Sequence, residues 1–235
     1  MNRETRQQPI NNQSTTNQQE IAVSENPLRT RAKDHLPTVL LTLLSIVQAY
    51  SLELMWAHVT THDALYELTF QAMLSWTQIF ATFLGVLVIW LIYASLVMRF
   101  RWVPTTSDSV FPFIIGIIEF ALIAALGPQL LWRWFLILSL IFLVMAWVSQ
   151  VTLRRAREDG ENDSFFSLIQ PAGWKDYLFV MWVSGAFFVA GIYLSMSDDQ
   201  GWAAMLALIV ATVVLAMQLY STDVFWRRSV ARVGK

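Results

Sequence analysis

The chain contains no cysteine. That excludes disulfides, thiolate metal sites and thiol redox chemistry. Charge is scarce as well: 14% of the residues are Asp, Glu, Lys or Arg, against about 25% in ordinary soluble domains. No GxSxG elbow, phosphate-binding loop, dinucleotide fingerprint or HExxH run is present, so no cofactor is expected. No apolar run carries the regularly spaced arginines of a voltage sensor, and none holds a TVGYG-like filter. The formal net charge of −1 gives no footprint for nucleic acid. No proline falls in the middle of an apolar run, so discontinuous transporter helices are not suggested. Residues 1–27 are polar, rich in Gln, Asn and Thr, and lack the apolar core of a signal peptide. Residues 1–33 therefore read as a disordered cytoplasmic tail, or alternatively as an arm that binds a partner.

What the chain has instead is apolar length. Its residues are 56% hydrophobic and its mean hydropathy is +0.48. A bilayer core about 30 Å thick takes roughly 20 helical residues to cross. Runs of that length lie at about 36–56, 76–98, 110–126, 131–151, 177–196 and 202–220. Pro37 suits the start of the first run, where its missing N–H costs nothing. Ser107, Asp108 and Ser109 offer N-caps for the third, and Gly127-Pro128 stops it.

The basic residues alternate with these runs. Arg29, Arg31 and Lys33 precede the first, Arg99 and Arg101 follow the second, and Arg154, Arg155, Arg157 and Lys175 separate the fourth from the fifth. Arg227, Arg228, Arg232 and Lys235 follow the sixth, and Arg133 alone lies on the other side. The positive-inside rule then places both termini in the cytoplasm. The expected fold is all-α: a polytopic integral membrane protein whose six-helix bundle spans 34–226, with a basic cytoplasmic segment at 227–235. A bacterial inner membrane fits this topology, and the lipid bilayer is the first partner. Trp56, Trp76, Trp132, Trp134 and Trp202 fall at outer ends, and Trp102, Trp174 and Trp226 at inner ends, as interfacial indoles do. Trp90, Trp147 and Trp182 lie within runs and read as packing residues. The pattern resembles three hairpins, although topology alone forces Trp and Arg to those ends. The inner loop over 154–175 holds Glu158, Asp159, Glu161 and Asp163, which read as solvated. Its apolar piece from Phe165 to Ile169 suits the interface. The sequons at Asn12 and Asn162 fall on the inner side and should not be glycosylated.

Polar residues inside apolar runs are expensive and mark candidate sites. Glu119, near the middle of the third run, costs several kcal/mol unless paired, hydrated or protonated. Thr42, Ser45, Ala49 and Glu53 form one helical stripe, and Ser75, Gln78, Thr82 and Gly85 form another. These stripes are expected to face each other, with Glu53 and Gln78 in hydrogen-bond reach. Gln48, Gln78 and Thr82 would line a pathway titrated by Glu119 and Glu53, or simply tie helices together. Gln150 and Gln218, near inner ends, are weaker signals. Ala121/Ala125, Ala186/Ala190 and Ala203/Ala207/Ala211 have the spacing of close-packed seams, within the chain or in a homo-oligomer. His58 and His62 sit at i, i+4 near Asp63 and Glu67, a weak candidate metal cluster. The leading functional expectation is a small transporter or channel for protons, cations or a small solute. One alternative is a non-catalytic subunit, sensor or assembly factor with membrane-protein partners. The other is a lipid-modifying enzyme centred on His58, His62 and Asp63.

Overall fold

The computed structural model describes residues 27–103, 105–167, 174–197 and 201–232. The N-terminal tail before Pro27, the centre of the 154–175 loop at 168–173, the pair Asp198-Asp199 and the last residues, 233–235, lie outside the described residues. Six long helices carry the fold: α1 (Pro27–Thr61), α2 (Phe70–Arg99), α3 (Thr106–Ala124), α4 (Leu131–Arg157), α5 (Trp174–Ser197) and α6 (Trp202–Arg232). Among the described residues there is no strand, and six helices are long and apolar enough to cross a membrane.

The helices overrun the expected apolar runs because their polar ends find partners. α1 begins at Pro27, so residues 27–33, expected in the tail, are helical and Pro37 lies inside the helix. Pro112 is likewise inside α3. The cap of α3 is Thr105 rather than Ser107, Asp108 or Ser109. Asp108 reaches back to accept from the Thr105 amide at 2.7 Å and hydroxyl at 3.0 Å, a carboxylate at the positive helix end. Gly127, at φ 115°, turns the chain from α3 toward α4, a conformation that favours glycine.

α2 is the central helix. It packs most extensively on α6 and also meets α1, α3 and α4; 56% of its apolar window is buried, against 22% for α1. The other large seams are α4 with α5 and α1 with α3. In the α4–α5 seam, Ser139 Oγ donates to the Ser184 carbonyl at 2.9 Å and Ser184 Oγ to the Ser139 carbonyl at 3.0 Å. A Cβ on Gly191 would stand 2.8 Å from Leu136 and 3.0 Å from the Trp132 carbonyl. In the α1–α3 seam, a Cβ on Gly116 would meet Val47 at 2.7 Å. The close seams thus run through Gly116 and Gly191, while Ala121 and Ala186 of the alanine pairs are exposed. α5 and α6 barely touch, so the chain is not three equivalent hairpins.

The tryptophans divide differently from the expected map. Trp56, Trp76 and Trp202 are exposed at one end, but Trp134 and Trp102 are buried, and Trp90, Trp147 and Trp182 face outward. An indole with a protein acceptor is better placed inside than at the headgroups. Trp102 Nε1 donates to Asp108 at 3.3 Å and Trp134 Nε1 to Thr82 at 2.9 Å.

At the opposite end the charges converge, and this basic end ties four helix termini together. Lys33 of α1, 4% exposed, lies 2.7 Å from Asp159 and 2.8 Å from Glu161. Arg101 pairs with Asp34 and with Glu161, and Arg155 of α4 pairs with Asp108 of α3. Asn162 Nδ2 donates to the Arg101 and Ala156 carbonyls, so the asparagine of this sequon is buried. Asp159 and Glu161, expected as solvated loop residues, are therefore structural. Burial alone raises the Asp159 carboxyl, but hydrogen bonds from Lys33 and the Glu161 amide, with the Lys33 charge, outweigh it and hold it below the carboxylate range. The hydrogen bond from Lys33 is the main reason that Glu161 is also held down, with Arg101 adding to it.

Replacing Lys33 by Met leaves Asp159 buried without its cation, a change that costs about 3–5 kcal/mol in comparable sites. Thermal unfolding in detergent should show a lower midpoint for Lys33→Met at pH 7. Carboxyls held low stabilise the fold above their unfolded pKa of about 4 and lose that contribution as pH falls. The wild-type advantage over Lys33→Met should therefore shrink between about pH 5 and pH 3. A pH-independent gap would show that the latch does not act through these carboxyls.

Candidate functional site

Gln48 and Ser51 are three residues apart on α1, so they share one helical face. That face continues through Leu36, Leu40 and Leu44 and is buried against α3. Glu119 of α3 sits opposite and is 0% exposed. Gln48 Nε2 donates to both carboxyl oxygens, at 2.8 and 3.0 Å, and Ser51 Oγ donates to Oε2 at 3.1 Å. All of these partners are neutral. Gln48 Oε1 is buried without a hydrogen-bond partner. Of the expected pathway residues, the structure thus unites Glu119 and Gln48, and it adds Ser51. The i, i+3 relation to Gln48 was the available signal for Ser51.

Glu53 does not join them. It is exposed, as are Thr42, Ser45 and Ala49, so the polar stripe of α1 faces away from α2. The expected pair Glu53–Gln78 is not formed. Gln78 instead caps the far end of α3: its Nε2 donates to the Ala125 carbonyl at 3.0 Å, and its Oε1 accepts from the Gly127 amide at 2.9 Å. A helix terminus leaves carbonyls without intrahelical partners, and in an apolar setting that need outranks a contact with a carboxylate free to reach water. One turn along α2, Thr82 Oγ1 donates to the Gln78 carbonyl at 2.8 Å and accepts from Trp134 Nε1 at 2.9 Å. Gln78, Thr82 and Trp134 are all buried and form a bonded seal, and none of them borders the cavity beneath.

Below that seal lies a cavity of about 360 Å³. Along α2 it is bordered by Gly85, Ile89, Ile92, Leu96 and Arg99, successive positions on one helical face. From Gly85 to Arg99 the helix rises roughly 21 Å. A Cβ on Gly85 would meet nothing within 4 Å, so the missing side chain contributes to the space. Glu119 and Leu122 border the cavity from α3, Leu138 from α4 and Leu215 from α6. Glu119 thus stands between the α1 hydrogen bonds and a largely apolar chamber that runs to the basic end.

The histidines are placed as the i, i+4 spacing implies, with ring centroids 4.0 Å apart. His62 Nδ1 is 2.9 Å from the His58 carbonyl and 3.1 Å from Thr61 Oγ1. Among the described residues no three His, Asp or Glu side chains come together as a metal site, and Asp63 and Glu67 do not complete one with His58 and His62. The chain matches no family model, no curated protein and no solved structure.

Replacing Glu119 by Ala strands the Gln48 and Ser51 donors in the interior, at a cost of about 1–3 kcal/mol for unsatisfied groups. Thermal unfolding should therefore drop for Glu119→Ala and stay close to wild type for Glu119→Gln, which retains an acceptor. Glu53→Ala, on the exposed face, should fall within about 0.5 kcal/mol of wild type. Equal stability of Glu119→Ala and wild type would remove the cluster's structural role.

Proposed function

We propose that this chain is an integral membrane protein with both termini in the cytoplasm, and that it transports a small solute while Glu119 takes up and releases a proton. The observation that carries the reading is a fully buried carboxyl, held only by neutral donors, on the wall of a cavity. A structural carboxylate at such depth is usually paired with a cation. Neutral partners suit a group that changes its charge.

Gln48 supports both forms of Glu119. As a carboxylate, Glu119 accepts from Gln48 Nε2 and Ser51 Oγ. Once protonated, its O–H has a ready acceptor in Gln48 Oε1, buried and without a partner here, reached by turning the amide about its last torsion. The Glu119 carboxyl is then satisfied in each state without repacking of α1 against α3, while the other end of the Gln48 amide stays unpaired. The negative charge is the costly state in an apolar chamber, so an occupant that changes the polarity of the chamber changes the affinity for the proton. That is the reciprocal coupling transport requires. The chamber extends toward the basic end, and the Gln78–Thr82–Trp134 seal closes it at the other. With the basic end assigned to the cytoplasm by the positive-inside rule, the arrangement reads as an inward-facing state.

The test is proton and cation flux into liposomes holding the purified protein, wild type beside Glu119→Gln. Flux in wild type that falls at least about tenfold in a Glu119→Gln protein of equal stability supports the reading, a loss of about 1.4 kcal/mol or more in the barrier. Absence of flux in correctly inserted wild type, or equal flux in the variant, rejects it. Orientation is tested separately, because the chain has no cysteine of its own. On intact cells an impermeant maleimide should label Thr61→Cys, but label Ser14→Cys and Ser229→Cys only after the membrane is opened. Labelling of either terminus from outside overturns the topology.

A further inference from the structure

The cavity has an unused end. Arg99 closes α2 at the basic end and borders the chamber. Its guanidinium lies over the Phe225 ring at 4.1 Å from the centroid. Its Nε and Nη2 are nevertheless buried and have no hydrogen-bond partner among the described residues. A guanidinium cannot shed its charge, and buried donors left unmade are costly. Ring stacking occupies the face of the group and stabilises its charge, but leaves the N–H edge unsatisfied. At this end Lys33, Arg101 and Arg155 are each bound to a carboxylate. Arg99 has none among the described residues.

The lining is graded. Toward the Gly85 end it is apolar apart from Glu119, with Leu122, Leu138 and Leu215; near Arg99 it gains Ser95, Ser149, Gln150, Gln218, Ser221 and Thr222. On one side the chamber is not closed by a helix–helix seam: α5 and α6 scarcely meet and α6 has no substantial seam with α4, although all three helices border it. From Gly85 to Arg99, polar rim included, the chamber follows α2 for roughly 21 Å, enough to cover one leaflet of about 15 Å in a bilayer core about 30 Å thick. A mostly apolar chamber of that depth, with an unpaired cation at its polar end, matches one kind of occupant.

We propose that this chamber holds one acyl chain of an anionic phospholipid drawn from the leaflet at the basic end, with the lipid phosphate bound on the N–H edge of Arg99. Two phosphate oxygens accept from Nε and Nη2, the bidentate geometry that suits a guanidinium. The amides of Gln150 and Gln218 supply further donors at the rim. Gly85 leaves the chain terminus its space. This assignment does not rest on the transport reading, because it follows from Arg99 and the lining; a lipid seated here would have to leave the chamber before a solute entered it.

Native mass spectrometry of the full chain in neutral detergent tests it, with titrations of phosphatidylglycerol, phosphatidylcholine of the same chains and inorganic phosphate. Retention of one phosphatidylglycerol, preferred over phosphatidylcholine by about tenfold or more, is expected for a charge-assisted contact. Arg99→Gln should abolish the preference and Arg99→Lys should keep part of it. Gly85→Leu should weaken retention while Arg99 is intact, because it fills the deep end; its open Cβ site makes it compatible with folding. Equal retention of the two lipids overturns the proposal, as does a preference unchanged in folded Arg99→Gln. Displacement of the lipid by inorganic phosphate at equal concentration also overturns it, since the acyl chain would then contribute nothing.

Discussion

Where water is excluded, each buried donor and acceptor must find its partner within the protein. Through most of this bundle that requirement decides how the helices meet. Gln78 is spent on the end of α3, Thr82 on Trp134, and Ser139 and Ser184 on each other's carbonyls. The groups that cannot be neutralised so cheaply are moved to one end, where Lys33, Arg101 and Arg155 meet Asp34, Asp108, Asp159 and Glu161. The helices are held in register by these polar contacts at fixed depths, while the leucines and the close glycine seams between them set distance.

Two polar groups stand apart from this economy, and both border the same chamber. Glu119 is satisfied, but only by neutral donors and with one amide oxygen left over. Arg99 is stacked, but its N–H edge is not satisfied. Departures from complete pairing in an otherwise paired interior are where a ligand or a proton gains the most free energy by arriving. The opposite signs of the two groups give the chamber a direction, from a carboxyl beneath the Gln78–Thr82–Trp134 seal to a cation at the basic end.

Much of the architecture was legible in the sequence because burial in lipid is a length-and-composition problem. The six apolar runs and the clustering of charge at one end followed from that. Glu119 and Gln48 stood out because an acid or an amide in an apolar run is expensive wherever it points. What the sequence did not disclose was direction. Glu53 lies on the same helix as Gln48 but on its outer face, and the polar stripe through Thr42 and Ser45 pointed to the wrong side of α1. In water the more polar face is the exposed one. In a bundle whose outer faces are as apolar as these, that rule loses its force, and the leucine-lined face with Gln48 and Ser51 is the buried one. The same loss of contrast misassigned Trp134, drawn inside by Thr82, and Trp182, which faces outward.

The sequence by itself determined that this chain is helical, how many apolar segments it has, and which end gathers the charges, because each depends only on local composition and alternation along the chain. The tertiary structure alone decided that Glu119 meets Gln48 and Ser51, that Gln78 caps α3, that Asp159 and Glu161 hold Lys33, and that Arg99 keeps a buried, unpaired edge beside a graded chamber. These depend on the rotation of each helix about its axis and on which helices are neighbours. Such quantities are set by the joint satisfaction of distant polar groups, and no single segment carries them.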